Sequence, residues 1–494
     1  MIKLLAAKLF AKIIHHKNQK WIDNPLDYQK KTFYNLIKKA IDTDFGKDHN
    51  FHKIKDYADF QAEVPVRDYE GLRPYVEKML LGKASVLWPG KPLYYAKTSG
   101  TTSGVKYIPL SKASMPTHIR AARDALLNYI YKTGNADFVE GKQIFLQGSP
   151  ILEKTKGINY GRLSGIVAHY VPKYLQKSRM PSWEINCIED WETKVDAIVE
   201  ETLSENMSLI AGIPSWVQMY FEKLIERSNL PVGEMFKNFS LFVYGGVNYE
   251  PYRPLFEKLI GRKVDSIELF PASEGFFAYQ DVPGERGLLL LVDNGIFYEF
   301  IKADNFREKN PKRYTLAQVE LEINYVLILS TTAGLWGYNI GDTVKFVSLS
   351  PFRIVVTGRI KHYISAFGEH VIGKEVETAM EEVCRSTATR VKEFTVAPQI
   401  DPKDGLPYHE WLIEFDDFPD EIDQFAALLD KKMQKQNAYY EDLIRGKVLR
   451  TLVITQVAPS AFQSYMKSIG KLGGQNKIPR LSNDRKIADE LQIK

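Results

Sequence analysis

Five hydroxyl side chains and two glycines stand immediately ahead of a lysine in Thr98-Ser99-Gly100-Thr101-Thr102-Ser103-Gly104-Val105-Lys106. Such a stretch can turn backbone N–H groups and hydroxyls toward phosphate oxygens. Glycine lets the main chain come close, and the lysine adds a cation. It is not a Walker loop, because Lys106 is followed by Tyr107 instead of Ser or Thr. Read alone, a flexible connector is the commoner use of this composition.

Three further segments could share that chemistry. Val243-Tyr244-Gly245-Gly246-Val247 reads as a strand ending in two glycines, where a flat ring could lie against bare backbone; the alternative is an ordinary strand exit. Phe270-Pro271-Ala272-Ser273-Glu274-Gly275 sets an aromatic, a hydroxyl and a carboxylate at the end of a second strand. The carboxyl ends of strands are where open α/β sheets bind ligands. Glu274 is there a hard oxygen donor suited to Mg²⁺ shared with phosphates, unless the segment is only a surface turn. Tyr338-Asn339-Ile340-Gly341-Asp342 puts an acid after a tight glycine, where it could accept from two ribose hydroxyls or simply serve a β-turn. His409-Glu410 lacks the second histidine of a zinc-protease helix, and His169, His362 and His370 have no ligand spacing. Trp183, Trp191, Trp216 and Trp336 read as core fillers.

The elements that must hold these residues follow from periodicity. Residues 1–88 read as mainly helical, with Phe33, Ile37 and Ile41 forming one stripe. Ile2, Leu5, Leu9 and Ile13 recur at helical spacing between Lys3, Lys8, Lys12 and Lys17. They predict a packed amphipathic first helix, with a membrane-surface helix as the alternative. Strands are predicted at 93–97, 143–147, 208–211, 241–244 and 267–270, with helices at 191–203 and 215–227. That alternation argues for an α/β layered core. Strands at 288–292, 296–301, 319–323, 325–331 and 344–347 predict a β-rich sheet or small barrel packed on it. After Ile354–Thr357 comes an α+β segment with strands at 393–397 and 410–415 and helices at 373–384 and 422–433.

The 494 residues are 44% apolar, 26% charged and 12% aromatic, which excludes a disordered, collagen-like or small disulfide-stapled chain. The net charge of +5 is too mild to argue for nucleic acid. Residues 422–494 carry 13 basic and 7 acidic side chains, a surplus that suits an anionic ligand or a solvated lysine face. Cys187 and Cys384 are far apart and in no CxxC pair, so the expected compartment is the reducing cytoplasm.

The order SGTTSG, YGG, ASEG, Gly-Asp and then Gly-Arg at a domain junction resembles the adenylate-forming superfamily. More closely, it is similar to the GH3 family of acyl-acid amido synthetases, auxin-responsive in plants, in its bacterial form. The likeness runs from Asn24-Pro25 through Tyr107-Ile108-Pro109 to Lys477-Ile478-Pro479-Arg480. It implies an α/β fold: a large N-terminal domain, 1–357, of layered α/β sheets plus a β-rich subdomain, and a small hinged α+β C-terminal domain, 358–494. It implies ATP and Mg²⁺, with Ser99, Gly100, Thr101 and Thr102 as phosphate loop and Lys106 as its trailing lysine. Gly245, Gly246 and Phe270 would flank adenine, Ser273 would lie beside the nucleotide, and Glu274 would hold the metal. Asp342 would take the ribose hydroxyls, Arg359 would support it at the hinge, and Lys477 would reach the reacting carboxylate and α-phosphate.

The implied reaction is activation of a carboxylic acid as an acyl-adenylate, then transfer to an amine, expected to be that of an amino acid. The alternatives are an acyl-CoA ligase with the same first half-reaction and a non-catalytic nucleotide-binding interaction protein. Both expected partners are small molecules; neither nucleic acid nor a membrane is expected. The identities of acid and amine, and the oligomeric state, are left open by the sequence.

Overall fold

Proline at the first position of a helix supplies a preset φ where no N–H is needed, and Pro25 opens the helix Pro25–Ala40 in this way. The computed structural model describes every residue except 1, 101–103, 247–248, 251, 307, 361–362, 365–366, 368–370, 400–401, 446–448, 474–476, 483, 492 and 494. Phe33 and Ile37 are buried as their spacing predicts, whereas Ile41 lies beyond the helix and is exposed. Gln29, buried on the same helix, donates to the carbonyls of Val292 (2.9 Å) and Ile296 (2.8 Å) and accepts from the Tyr298 amide (2.9 Å).

The first helix, Ile2–Asp23, packs, but not through the face the apolar spacing suggests. Ile2, Leu5, Leu9 and Ile13 are 82, 63, 63 and 56% exposed, while Ala11, Ile14, Asn18 and Trp21 are buried. The helix carries two apolar stripes. The one rich in small residues, with Ala7 and Ala11, packs against Leu127 and Ile130 of the helix Met115–Thr133, where Asn18 donates to Asp124 at 3.2 Å. Among the described residues no helix is long and apolar enough to cross a membrane.

The strands of the first half are β1 (Tyr94–Gly100), β2 (Gly104–Leu110), β3 (Lys142–Phe145), β4 (Glu153–Thr155), β5 (Ile158–Gly161), β6 (Arg179–Met180), β7 (Met207–Ala211) and β8 (Leu241–Gly245). They continue as β9 (Asp265–Ala272), β10 (Gly275–Tyr279), β11 (Leu288–Leu290), β12 (Ile296–Lys302), β13 (Tyr314–Thr315), β14 (Asn324–Thr331), β15 (Tyr338–Leu349) and β16 (Phe352–Arg359). Among the described residues, twelve of them form one sheet in the order β13-β12-β14-β15-β16-β11-β10-β9-β8-β7-β3-β6, and β2-β1-β5-β4 form another. The stretch β3, β6, β7, β8 and β9 is parallel, with the intervening helices expected of βαβ crossovers. The β-rich strands are therefore not a separate barrel. A two-residue turn between β9 and β10 keeps the chain in the same sheet, now antiparallel. The strand predicted at 319–323 is only a bridge, Leu321 to Phe346, because Thr315 and Gln318 cap a helical turn just before it. At one end of this sheet Glu299, fully buried on β12, receives both guanidinium arms of Arg313 (2.8 and 2.9 Å) and the Tyr57 hydroxyl (2.8 Å).

Internal contacts divide the chain into two units, Met1–Ile340 with Val344–Val355, and Gly341–Thr343 with Val356–Lys494. The second holds β17 (Tyr363–Ile364) paired with β18 (Val371–Ile372), and the sheet β19 (Arg390–Gln399), β20 (Tyr408–Asp417) and β21 (Val453–Gln456). The helices Gly373–Thr387 and Ile422–Gln436 belong to this unit. They contribute Val376, Met380, Phe425 and Leu429 to a core with Trp411 and Phe394, whose rings stack at 5.6 Å.

Candidate functional site

Parallel pairing lines up the carboxyl ends of β7, β8 and β9, the edge where α/β sheets take ligands. Gly245, the last residue of β8, is the register partner of Leu269. A Cβ at Gly245 would lie 2.4 Å from the Leu269 carbonyl oxygen, so no other residue fits without moving a strand. Gly246 follows with φ +82°, left-handed backbone that glycine adopts freely. The bare strand end expected for a flat ring is thus present. Three residues beyond Leu269, Ala272 pairs with Gly275 and closes the Ser273-Glu274 turn. Phe270, buried, meets Phe277 edge-on at 5.0 Å. The sequence alternative of a turn is right about backbone shape, yet Ser273 is only 9% exposed.

The hydroxyl-rich stretch is less a loop than a hairpin. β1 runs on to Gly100 and β2 restarts at Gly104, with seven antiparallel pairs from Tyr94–Leu110 to Gly100–Gly104. Thr101 and Thr102 lie outside the described residues, as does the side chain of Ser99. Lys106, opposite Thr98, holds its ammonium 5.6 Å from the centre of the Tyr69 ring, a cation–π contact. The next amide, that of Tyr107, donates to the Tyr69 hydroxyl at 3.0 Å.

Tyr69 leads onward to the carboxylate. Two residues before it, Arg67 forms a parallel bridge with Tyr338: its N–H reaches the Gly337 carbonyl (2.9 Å) and its carbonyl accepts from Asn339 (2.7 Å). The Tyr338 hydroxyl stands 3.4 Å from Glu274 Oε1. Burial, and then the Glu274 charge, hold that phenol far above its ordinary range, so it stays a donor to the carboxylate. The first unit therefore links the hairpin lysine to the turn carboxylate through Tyr69, Arg67 and Tyr338. Sequence reasoning assigned no role to Tyr69 or Arg67. Their only local signal is Asp68, which caps the helix Tyr69–Leu80 by accepting from Gly71 and so fixes where Tyr69 starts.

The second unit carries the remaining expected residues. Asp342 lies within β15 and not in a turn; beside it the Gly341 carbonyl accepts from Ile360 (2.6 Å) and Thr357 donates to Thr343 (2.8 Å). Arg359 ends β16, its side chain outside the described residues, as are Lys361, His362 and His370. Lys477 is exposed, three residues before Arg480. Arg480 is the anchor of this segment: it ion-pairs with Glu393, donates to the Phe394 carbonyl (3.1 Å) and stacks on the Phe394 ring (4.6 Å). Of the tryptophans, Trp191, Trp216 and Trp336 fill cores as predicted, but Trp183 is 46% exposed and meets His169 edge-on. Among the described residues no three His, Cys, Asp or Glu side chains cluster as a metal cage.

With this geometry in hand, comparison with known proteins is informative. Models of the GH3 family N-terminal, central and C-terminal domains match residues 14–184, 289–359 and 374–486 in that order. The chain is 21% identical over 387 residues to a jasmonoyl–L-amino acid synthetase of Nicotiana attenuata, covering 64% of this chain and 66% of that protein. It is 21% identical over 536 residues to an indole-3-acetic acid-amido synthetase of Arabidopsis thaliana, covering 92% and 88%. Among solved structures, the GH3.15 acyl acid amido synthetase in complex with 2,4-DB superposes with a TM-score of 0.81 at 16% identity, covering 98% and 96% of the two chains. At that identity the likeness establishes the fold, and it is the α/β fold the motifs implied.

Proposed function

This chain belongs to the GH3 family, and on that premise we propose that it is a ligase that joins a carboxylic acid to AMP and passes the acyl group to an amine. ATP and the acid give acyl-adenylate and pyrophosphate; the amine of an amino acid then displaces AMP, losing one proton as the amide forms. A free carboxylate is a poor acylating agent because oxide is a poor leaving group, and AMP is a good one.

The observation that carries this reading is the link from Lys106 through Tyr69 and Tyr338 to Glu274. It supports a shared site because a cation and a carboxylate, the two groups that ATP with a divalent ion needs, are joined in one framework. The carboxylate attacks a polyanion, so the chain must offset charge. The N–H groups of the hairpin and the ammonium of Lys106 do so, each such donor contributing about 3–4 kcal/mol in a transition state. Tyr338 keeps Glu274 oriented. Mg²⁺, when bound with ATP, would rest on Glu274 and supply further charge neutralisation; a single carboxylate suits a hydrated ion shared with phosphates. The resemblance assigns Gly245, Gly246 and Phe270 to the adenine, Ser273 to the nucleotide beside it, Asp342 to the ribose, Arg359 to its support and Lys477 to the reacting carboxylate and α-phosphate. The named relatives differ in their acids, jasmonoyl and indole-3-acetic, so the family does not fix the acid.

The test is ATP–pyrophosphate exchange over a panel of aryl, indolyl and fatty acids, followed by product mass with amino acids or with coenzyme A. At least one acid should stimulate exchange and give an amide. Exchange that no acid stimulates would overturn adenylation, and a thioester in place of an amide would overturn the amine acceptor.

A further inference from the structure

The first unit also gathers three cations that have no carboxylate partner among the described residues. Leu146 and Gln147 prolong the carboxyl end of β3, which is held beside β7 where Leu146 donates to the Ala211 carbonyl. Around this end stand Arg162, Arg179 and Lys194. The Arg162 guanidinium lies against Gly148, where a Cβ would meet its Cδ and Nη1 at 3.2 Å. With the Gln147 amide turned so that its oxygen faces donors, that oxygen accepts from Arg179 Nη2 (2.8 Å) and Asn186 Nδ2 (3.1 Å). Lys194, 1% exposed, donates to the Asn186 carbonyl at 2.6 Å. Every acceptor is thus an amide dipole. Among the described residues none of the three cations has an ion-pair partner. Burial draws the Lys194 ammonium down to about 8, against the Cys187 thiol and with the two guanidiniums, and lowers both guanidiniums. The hydroxyl of Ser164, buried at the same place, has no partner either.

Buried charges are ordinarily paired. Lys194 is buried without a carboxylate, and the half-buried Arg162 and Arg179 beside it have none either, which describes a site short of its anion. β3 is two strands from β8, roughly 10 Å at ordinary strand spacing, and the cluster lies at the same carboxyl edge as Gly245. We propose that Arg162, Arg179 and Lys194 bind a carboxylate that the reaction does not consume. This rests on the proposed function, in which two carboxylates could play that part: that of the amino acid acceptor, and a second one on a dicarboxylic acyl substrate. Bidentate geometry from an arginine suits either.

The experiment is calorimetric and thermal-shift titration of the full chain, with and without AMP, at constant ionic strength. The probes are glycine, L-leucine and L-glutamate against their α-carboxamides, and succinate against its diamide. At least one carboxylate should bind and raise Tm while its amide does neither. Arg162→Gln should weaken binding at least tenfold and Arg162→Lys recover part of it. Lys194→Met should abolish binding while its ligand-free Tm is unchanged or higher, because an unpaired buried charge has been removed; a merely structural lysine would lower it. Binding of amino acids identifies the acceptor as the source, and binding of succinate alone identifies the acyl side. Absence of binding by every carboxylate, equal binding of the amides, or wild-type binding by Arg162→Gln and Lys194→Met would each overturn the proposal. Pyrophosphate exchange on the same preparations separates the two readings: carboxylate binding without exchange retains this site and removes adenylation.

Discussion

Alanine at position 245 probes the proposed nucleotide edge most directly. Its Cβ would lie 2.4 Å from the Leu269 carbonyl oxygen and 3.6 Å from Pro271 Cδ. The nearer contact falls about 1 Å short of ordinary van der Waals separation, and the obstacle is backbone in the paired strand β9, which cannot rotate away. Overpacking of this kind costs about 1–3 kcal/mol. The strain can be relieved only by moving the end of β8, the part proposed to lie against the ring, so binding must restore what relaxation gave up. At 1.4 kcal/mol per factor of ten, Gly245→Ala should weaken ATP binding roughly 5- to 150-fold. The control is Gly261→Ala, with φ +78° and a Cβ 3.0 Å from Pro231, at the end of the helix Arg253–Ile260 and hence at the opposite edge of the sheet. Both variants should lose stability in urea, but only the first should lose nucleotide affinity by calorimetry. If Gly245→Ala is destabilised as much as Gly261→Ala yet binds ATP like wild type, the strand end is not where the ring lies.

Four other outcomes are expected. Glu274→Gln should raise the Mg²⁺ concentration needed for half-maximal pyrophosphate exchange, and Tyr338→Phe should do so less, by the twofold to tenfold that a hydrogen bond of about 0.5–1.5 kcal/mol represents; unchanged Mg²⁺ dependence in Glu274→Gln would remove that residue from the metal. Lys477→Ala should abolish acid-dependent exchange while chemically made adenylate is still aminolysed, and equal loss of both half-reactions would refute a role confined to the first. Glu299→Gln should lower unfolding free energy in urea by about 3–5 kcal/mol, since it leaves Arg313, 8% exposed, without its buried partner. Burial pushes the His118 imidazole down to about 4, so the unfolded chain takes up a proton near pH 6.5 that the folded chain refuses until about 4. Stability should therefore fall as pH drops through that window, by roughly 3 kcal/mol in full, and His118→Leu should flatten that part of the stability–pH curve.

Much of this molecule is legible in its sequence where one element decides the matter. The runs at 207–211 and 241–245 are mostly apolar strands bounded by glycine or polar residues, and they appear within a residue or two of their expected places. The glycine pair, the Ser273-Glu274 turn and Lys106 are local motifs, and each lies at an element end, in a tight turn or in a hairpin. What the sequence hid is tertiary. The first helix has two apolar stripes, and periodicity cannot say which will pack; the alanine-bearing stripe does, because it admits close approach to a neighbouring helix. Tyr69 has no motif, since its neighbours Tyr107 and Lys106 come from another element. Arg162, Arg179 and Lys194 look individually like solvated surface cations, and only the fold around Gln147 reveals that Lys194 is buried beside two half-buried guanidiniums with no carboxylate partner among the described residues.

Gln29 has a consequence for how the chain can be divided. Its side chain acts as a borrowed peptide group, closing two carbonyls and one amide around β12 that no strand reaches. Removing the leading helices would leave those three backbone groups stranded, each at a cost of about 1–3 kcal/mol. A fragment begun at β1 is therefore not a minimal version of this enzyme but one with a hole in its sheet, and the shortest autonomous catalytic body has to include the helix that begins at Pro25.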